Sequence, residues 1–187
     1  MPEASSRPRW LLLLAVAGAV LALDQVSKRA IIATLLPYES APLLPPLLFI
    51  TYSYNTGAAF GFLPDAGTLF LILAVVIVVS MIFFYPRIRS NLTRVAAGLV
   101  IGGALGNAFD RVQYGHVVDF VHIVVPGIVS NVSNFADHAI VLGVLLITLQ
   151  NWREERQEKR RKALAAHEDD NVTLPVLPDH GDEQSKN

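Results

Sequence analysis

Two aspartates stand where a charge is costly. Asp119 lies in "VVDFV", among valine and phenylalanine, and Asp137 ends "NFAD", just before the apolar run "HAIVLGVLLITLQ". Two carboxylates forced together in a low-dielectric site cannot both ionise, so they share a proton and titrate as a pair. Such a pair can activate water: the ionised member takes a proton from it, while the protonated member donates to the carbonyl oxygen and later helps the amine leave. Other polar groups punctuate the apolar stretches: Asp24 and Lys28 in "DQVSK", Asn55 and Gly57 in "NTG", Asn107, Asp110 and Arg111 in "GNAFDR", and Asn134 and Ala136 in "NFAD". Structural roles compete for some of them. Asp24 and Lys28 are spaced for an i,i+4 ion pair, Asp110 adjoins Arg111, and Asp137 suits the start of a helix. Asp119 has no partner nearby in sequence. The chain has no cysteine, which excludes disulfides, thiol nucleophiles and cysteine-ligated zinc. His116, His122 and His138 lack the i,i+4 pair of helical zinc proteases, so neither metal nor cofactor is expected.

The elements that must position these groups are hydrophobic. Of 187 residues, 52% are hydrophobic and 17% charged, against about 25% charged in an ordinary soluble domain. Four apolar runs, at approximately 10–35, 68–85, 95–109 and 137–152, approach the roughly 20 residues that cross a bilayer. The first resembles a secretory leader, but apolar residues resume after "DQVSKR" as "AIIATLL", so the helix is expected to continue. The fold class that follows is an all-α polytopic membrane protein with four transmembrane helices. "LFITYSYNTGAAFGF" adds a small extracytoplasmic β-element in the first outer loop. Gly98, Gly102 and Gly106, spaced by four, mark a face for close helix packing.

Basic residues fix the expected orientation. Arg7 and Arg9 precede the first run, Arg87, Arg89 and Arg94 separate the second and third, and "WREERQEKRRK" follows the fourth. These flanks are expected in the cytoplasm with both termini, and the loops 37–67 and 110–136 outside. Residues 1–155 then form a four-helix domain, and 156–187 a charged, disordered cytoplasmic tail. At 1.5 Å per residue from Trp10 and Trp152, Asp24 and Asp137 both lie about 21–22 Å from the inner interface. Asn107 and Asp110 reach the same level. The inner half of the layer has no comparable polar groups, which suits a site at the outer membrane–water boundary better than a path through the membrane.

In these blocks, namely "DQVSK", "NTGAAFGFL", "GGALGNAFDRVQYGHVVDF" and "NFAD", the chain resembles the lipoprotein signal peptidases, the type II signal peptidases of bacteria. The likeness runs from Trp10 to Trp152. The resemblance implies a four-helix aspartyl endopeptidase of the bacterial inner membrane. Its substrates would be diacylglyceryl-modified prolipoproteins, cut just before the lipidated cysteine. It implies Asp119 and Asp137 as the catalytic pair, supported by Asp24, Lys28, Asn55, Gly57, Asn107, Asp110, Arg111, Asn134 and Ala136. The expected partners are prolipoproteins and membrane lipids, with no nucleic acid, and the protein is expected to act as a monomer. Two alternatives stay open on the residues alone: a proton-coupled transporter subunit, because intramembrane acids often mark proton relays, and a non-enzymatic lipid-binding protein in which the acids only cap and pair helices.

Overall fold

The computed structural model of the protein describes residues 7–57 and 66–172. The part of "NTGAAFGFL" after Gly57 and the tail beyond Val172 lie outside the described residues. Four long helices and four strands alternate as α1 (Arg7–Thr34), β1 (Ser40–Leu44), β2 (Leu48–Asn55), α2 (Gly67–Phe84), α3 (Asn91–Tyr114), β3 (Val117–Val125), β4 (Val129–Ser133) and α4 (Phe135–Val172). All four helices are long and apolar enough to cross a membrane.

α3 is the hub. Some 61% of its apolar window is buried inside the protein, against 17% for α1, 6% for α2 and 11% for α4. Its glycine face explains why. A Cβ on Gly98 would lie 2.8 Å from the Val16 Cβ, one on Gly102 2.7 Å from the Ala17 carbonyl oxygen, and one on Gly106 2.5 Å from Asp24 Oδ2. The expected close packing is therefore against α1, which runs parallel to α3. On the other flank Gly103 backs onto the Ala136 carbonyl, and a Cβ on Gly143 would lie 2.7 Å from the Ala96 oxygen, so α4 runs antiparallel. With no side chain between them, the backbones approach closely and bring polar groups of three helices to one level.

Two boundaries differ from the sequence reading. α3 exceeds the expected 95–109 by about a turn at each end. Asn107, Asp110 and Arg111 do not stop it, because their side chains are bonded within the fold. It ends at Gly115, whose φ of +77° suits glycine and whose N–H bonds the Arg111 carbonyl at 3.1 Å. The second correction concerns residues 156–172, expected to be disordered, which continue α4 as helix. They are rich in Glu, Arg, Lys, Gln, Leu and Ala, all strong helix formers. Glu158 and Lys162 pair at 2.6 Å on the exposed surface, and the Arg156 guanidinium lies 4.0 Å from the Trp152 ring centre. The compact unit that carries α1–α3 and the sheet ends at Gln150, earlier than the expected 155, and residues 151–172 belong to a second unit.

The strands form one antiparallel meander in the order β1-β2-β3-β4. The small β-element expected in the first loop is thus half of a larger sheet, whose other half comes from the loop between α3 and α4. β2 and β3 pair with Ser53 opposite Asp119 and Asn55 opposite Val117, below an irregularity between Ile50 and Ser53. The near-continuous apolar run of β3 hid this strand, since alternation is lost where both faces are covered. Val117, Val118, Asp119 and Phe120 are all buried.

Candidate active site

The site is assembled around a buried cation. Lys28 is 1% exposed and lies 2.8 Å from Asp24 Oδ2 and 2.7 Å from Asp110 Oδ2, both acids being fully buried. Its third contact is to Asn107 Oδ1 at 2.9 Å. An ammonium has three donors, and all are used. The expected Asp24–Lys28 pair is therefore present. Asp110 turns to Lys28 instead of Arg111, since the α1–α3 interface offers a buried cation while Arg111 points away along α3.

Each acid of this trio also grips backbone. Asp24 Oδ1 accepts the Ala136 N–H at 3.0 Å, and Asp110 Oδ2 accepts the Val118 N–H at 3.1 Å. Ala136 and Val118 are the residues immediately before Asp137 and Asp119. The trio thus holds the chain just ahead of both candidate catalytic acids. Gln25 joins it, its amide donating to Asp110 Oδ1 at 2.9 Å and more distantly to Asp24 Oδ2 and the Gly106 carbonyl, both at 3.3 Å. Gln25 is not among the residues singled out in the sequence. The signal was there: an amide beside Asp24 in a span otherwise poor in polar groups.

Three asparagines hold the aspartates. Asn55 donates to Asp119 Oδ2 at 2.8 Å and Asn134 to Asp119 Oδ1 at 2.6 Å. Asn107 donates to Asp137 Oδ1 at 2.7 Å. Asn134 is also the cap of α4: its Oδ1 accepts the Asp137 N–H at 2.9 Å and its carbonyl accepts the His138 N–H at 3.3 Å. Asp137 itself occupies the first turn, where a negative charge faces the positive end of the helix dipole. One amide group, on Asn134, therefore bridges the side chain of one aspartate and the backbone of the other.

Asp119 is 2% exposed, whereas Asp137 is only partly buried. Burial, and next the charge of Asp137, push the Asp119 carboxyl up from 3.8 to about 7, against the opposing pull of the Asn55 and Asn134 amides and of Lys28. The pair thus has one member that holds a proton near neutrality and one reachable from outside. Asn55 also accepts the Gly57 N–H at 3.0 Å, and the Gly57 carbonyl accepts from Arg111 at 3.3 Å. Arg111 reaches the Asn107 carbonyl at 3.3 Å and stacks on Phe70. With Thr56, Gly67, Thr68, Leu71 and Gly115 it lines a cavity of about 230 Å³. All eleven residues singled out in the sequence thus fall in one connected region, contributed by α1, β2, α3, β3 and the start of α4.

Comparison with known proteins concerns the chain as a whole. A family profile described as Signal peptidase (SPase) II matches residues 16–153. The lipoprotein signal peptidase of Halothermothrix orenii is 36% identical over 138 residues, covering 73% of this chain and 92% of that one. The lipoprotein signal peptidase of Pelotomaculum thermopropionicum is 38% identical over 156 residues, covering 81% of this chain and 100% of that one. A solved structure described as a bacterial membrane enzyme, determined by the in meso method, superposes with a TM-score of 0.72 at 33% identity, over 76% of this chain and 88% of that one.

Proposed function

Since the chain belongs to the signal peptidase II family, we propose that it is an intramembrane aspartyl endopeptidase. It removes the signal peptide from diacylglyceryl-modified prolipoproteins, cutting just before the lipidated cysteine. The observation that carries this reading is the pairing of Asp119 and Asp137 through Asn134, with the Asp119 carboxyl raised to about 7.

The residues divide the work. Asp119 holds the shared proton at neutral pH and donates it to the scissile carbonyl oxygen. Asp137, partly exposed, takes a proton from the attacking water. The tetrahedral species collapses when that proton passes from Asp137 to the departing amine and a hydroxyl proton returns to Asp119, leaving a carboxylic acid where the amide was and the pair restored. Asn55 and Asn134 aim both oxygens of Asp119, and Asn107 aims one oxygen of Asp137, so the pair is set before substrate arrives. Arg111, which donates to the Gly57 carbonyl, borders the cavity in which an extended peptide would be held. The site lies at the outer face of a bacterial inner membrane, with both termini in the cytoplasm. There the lipid anchor of the substrate confines it to the plane of the site, which raises its effective concentration.

The test is incubation of purified protein with a lipidated prolipoprotein, following release of the signal peptide. Asp119→Asn and Asp137→Asn should each lower kcat by about 10³-fold or more, and the double variant should be scarcely worse than either, because the pair acts as one unit. Turnover by either single variant within tenfold of the unaltered protein would sink the dyad.

A further inference from the structure

We infer that Lys28 is a positioning residue for the reaction: through Asn107, it decides which end of an amide faces Asp137. This inference rests on the dyad reading above and adds to it a polarity set from outside the pair. Lys28 lies on α1, 79 positions from Asn107 and 109 from Asp137, and among the described residues no hydrogen bond or ion pair joins it to Asp137. Asp24 and Asp110 take two of the three donors of this buried ammonium. The third goes to Asn107 Oδ1 at 2.9 Å, and Asn107 Nδ2 goes to Asp137 Oδ1 at 2.7 Å, so the donor that completes the cation also orients the amide facing Asp137.

The chemistry of an amide makes this contact decisive. The two ends of the Asn107 side chain are alike in shape and opposite in polarity. With its oxygen facing Asp137 the amide would accept, and so favour the acid form of Asp137. With its nitrogen facing Asp137 the amide donates, and so favours the carboxylate. A lysine ammonium can only donate, so Lys28 fixes the Asn107 oxygen on its own side and the N–H on the side of Asp137. Asp24 and Asp110 keep the ammonium in place and offset its charge. They are anchored in turn by the Ala136 and Val118 N–H groups and by Gln25.

The other groups that face Asp137 do not replace this contact. Arg111 on α3 and Asp119 on β3 act on it by charge. His138, its neighbour on α4, turns its Nε2 to Ser133 Oγ at 3.2 Å. Asn134 on the β4–α4 junction bonds only its backbone N–H. Among the described residues Asn107 is the one side chain hydrogen-bonded to the Asp137 carboxylate.

The experiment is a pH profile of kcat/KM for prolipoprotein cleavage. Lys28→Met combined with Asp110→Asn removes one charge of each sign, so the net charge of the trio is kept. This double variant should move the acidic limb of the profile up by about one pH unit, the scale of one charge-assisted hydrogen bond. Asn107→Leu should move the limb by a similar amount. In the Asn107→Leu background the Lys28 and Asp110 changes should move it no further, because their effect passes through Asn107. An acidic limb that stays in place in the folded double variant, or a shift of equal size in both backgrounds, would overturn the inference. Helical circular dichroism establishes folding. Should the double variant fail to fold, Lys28→Arg takes its place. Arginine too can only donate, so it should keep the wild-type limb at reduced kcat, and a displaced limb there overturns the inference equally. Failure of the unaltered protein to cleave at all would instead count against the function proposed above, so the two outcomes are distinct.

Discussion

At the scale of single residues, the proton on Asp119 bears on stability and, through the proposed mechanism, on activity. In the unfolded chain this carboxyl loses its proton near 3.8, and in the folded protein near 7. The folded state therefore keeps a proton that the unfolded state has lost between those values. Below the lower value the burial of a neutral acid carries no ionisation penalty. Stability then falls as pH rises through the window, and the loss is complete above about 7. Activity follows the same proton: kcat/KM should decline on an alkaline limb near pH 7, where the pair loses its acid member. Asn55→Ala removes a donor that favours the Asp119 carboxylate, so that limb should move upward, as a pH profile of cleavage in one detergent would show. A downward move would mean that Asn55 does not act on the Asp119 proton. The sequence displayed Asp119 as an acid without a neighbour but hid its partners. Asn55 lies 64 positions away and Asn134 lies 15 away, and only strand pairing and a helix cap bring them to it.

At the scale of elements, the glycine face of α3 governs how closely α1 can lie. A Cβ on Gly102 would press on the Ala17 backbone, which cannot rotate away. Gly102→Ala should destabilise the protein by about 1–3 kcal/mol, the usual cost of overpacking. Gly18, on α1, has nothing within 4 Å of an added Cβ, so Gly18→Ala should be neutral or slightly stabilising. Thermal unfolding of the two variants in the same detergent compares them, and equal melting temperatures would contradict the packing account. Helices α1 and α2 and the four-residue glycine repeat were legible in the sequence because length and periodicity encode them directly. The sheet was half legible. The first loop alternates apolar and polar residues, as a strand with one open face must, whereas β3 is buried at Val117 to Phe120 and reads as one more apolar run.

At the scale of the whole molecule, all the candidate site residues lie in the unit that ends at Gln150, while α4 continues through residues 151–172 in a second unit. Truncation after Ala165 keeps the basic run 159–162, which can meet anionic headgroups. It should leave the cleavage rate unchanged within about twofold, measured in the same membranes at equal amounts of inserted protein, since none of the site residues lies beyond Asp137. A large fall would assign the tail a part in the reaction. Their distances from Trp10 and Trp152 put Asp24 and the start of α4 level, and the 3.0 Å bond from the Ala136 N–H to Asp24 agrees. The helical continuation is hidden in the sequence because a high density of charge suits disorder, while the same residues favour helix. The grip of Asp24 and Asp110 on the residues ahead of Asp137 and Asp119 also bears on how the protein is made. Translation supplies Asp24, Lys28, Asn107, Asp110 and Asp119 first, and Asp137 arrives only with the last helix. Until that helix enters the bundle, Asp24 has no Ala136 N–H to hold and the proposed pair has one member. On the proposed mechanism, a chain that has not yet placed its last helix should therefore not cleave substrate.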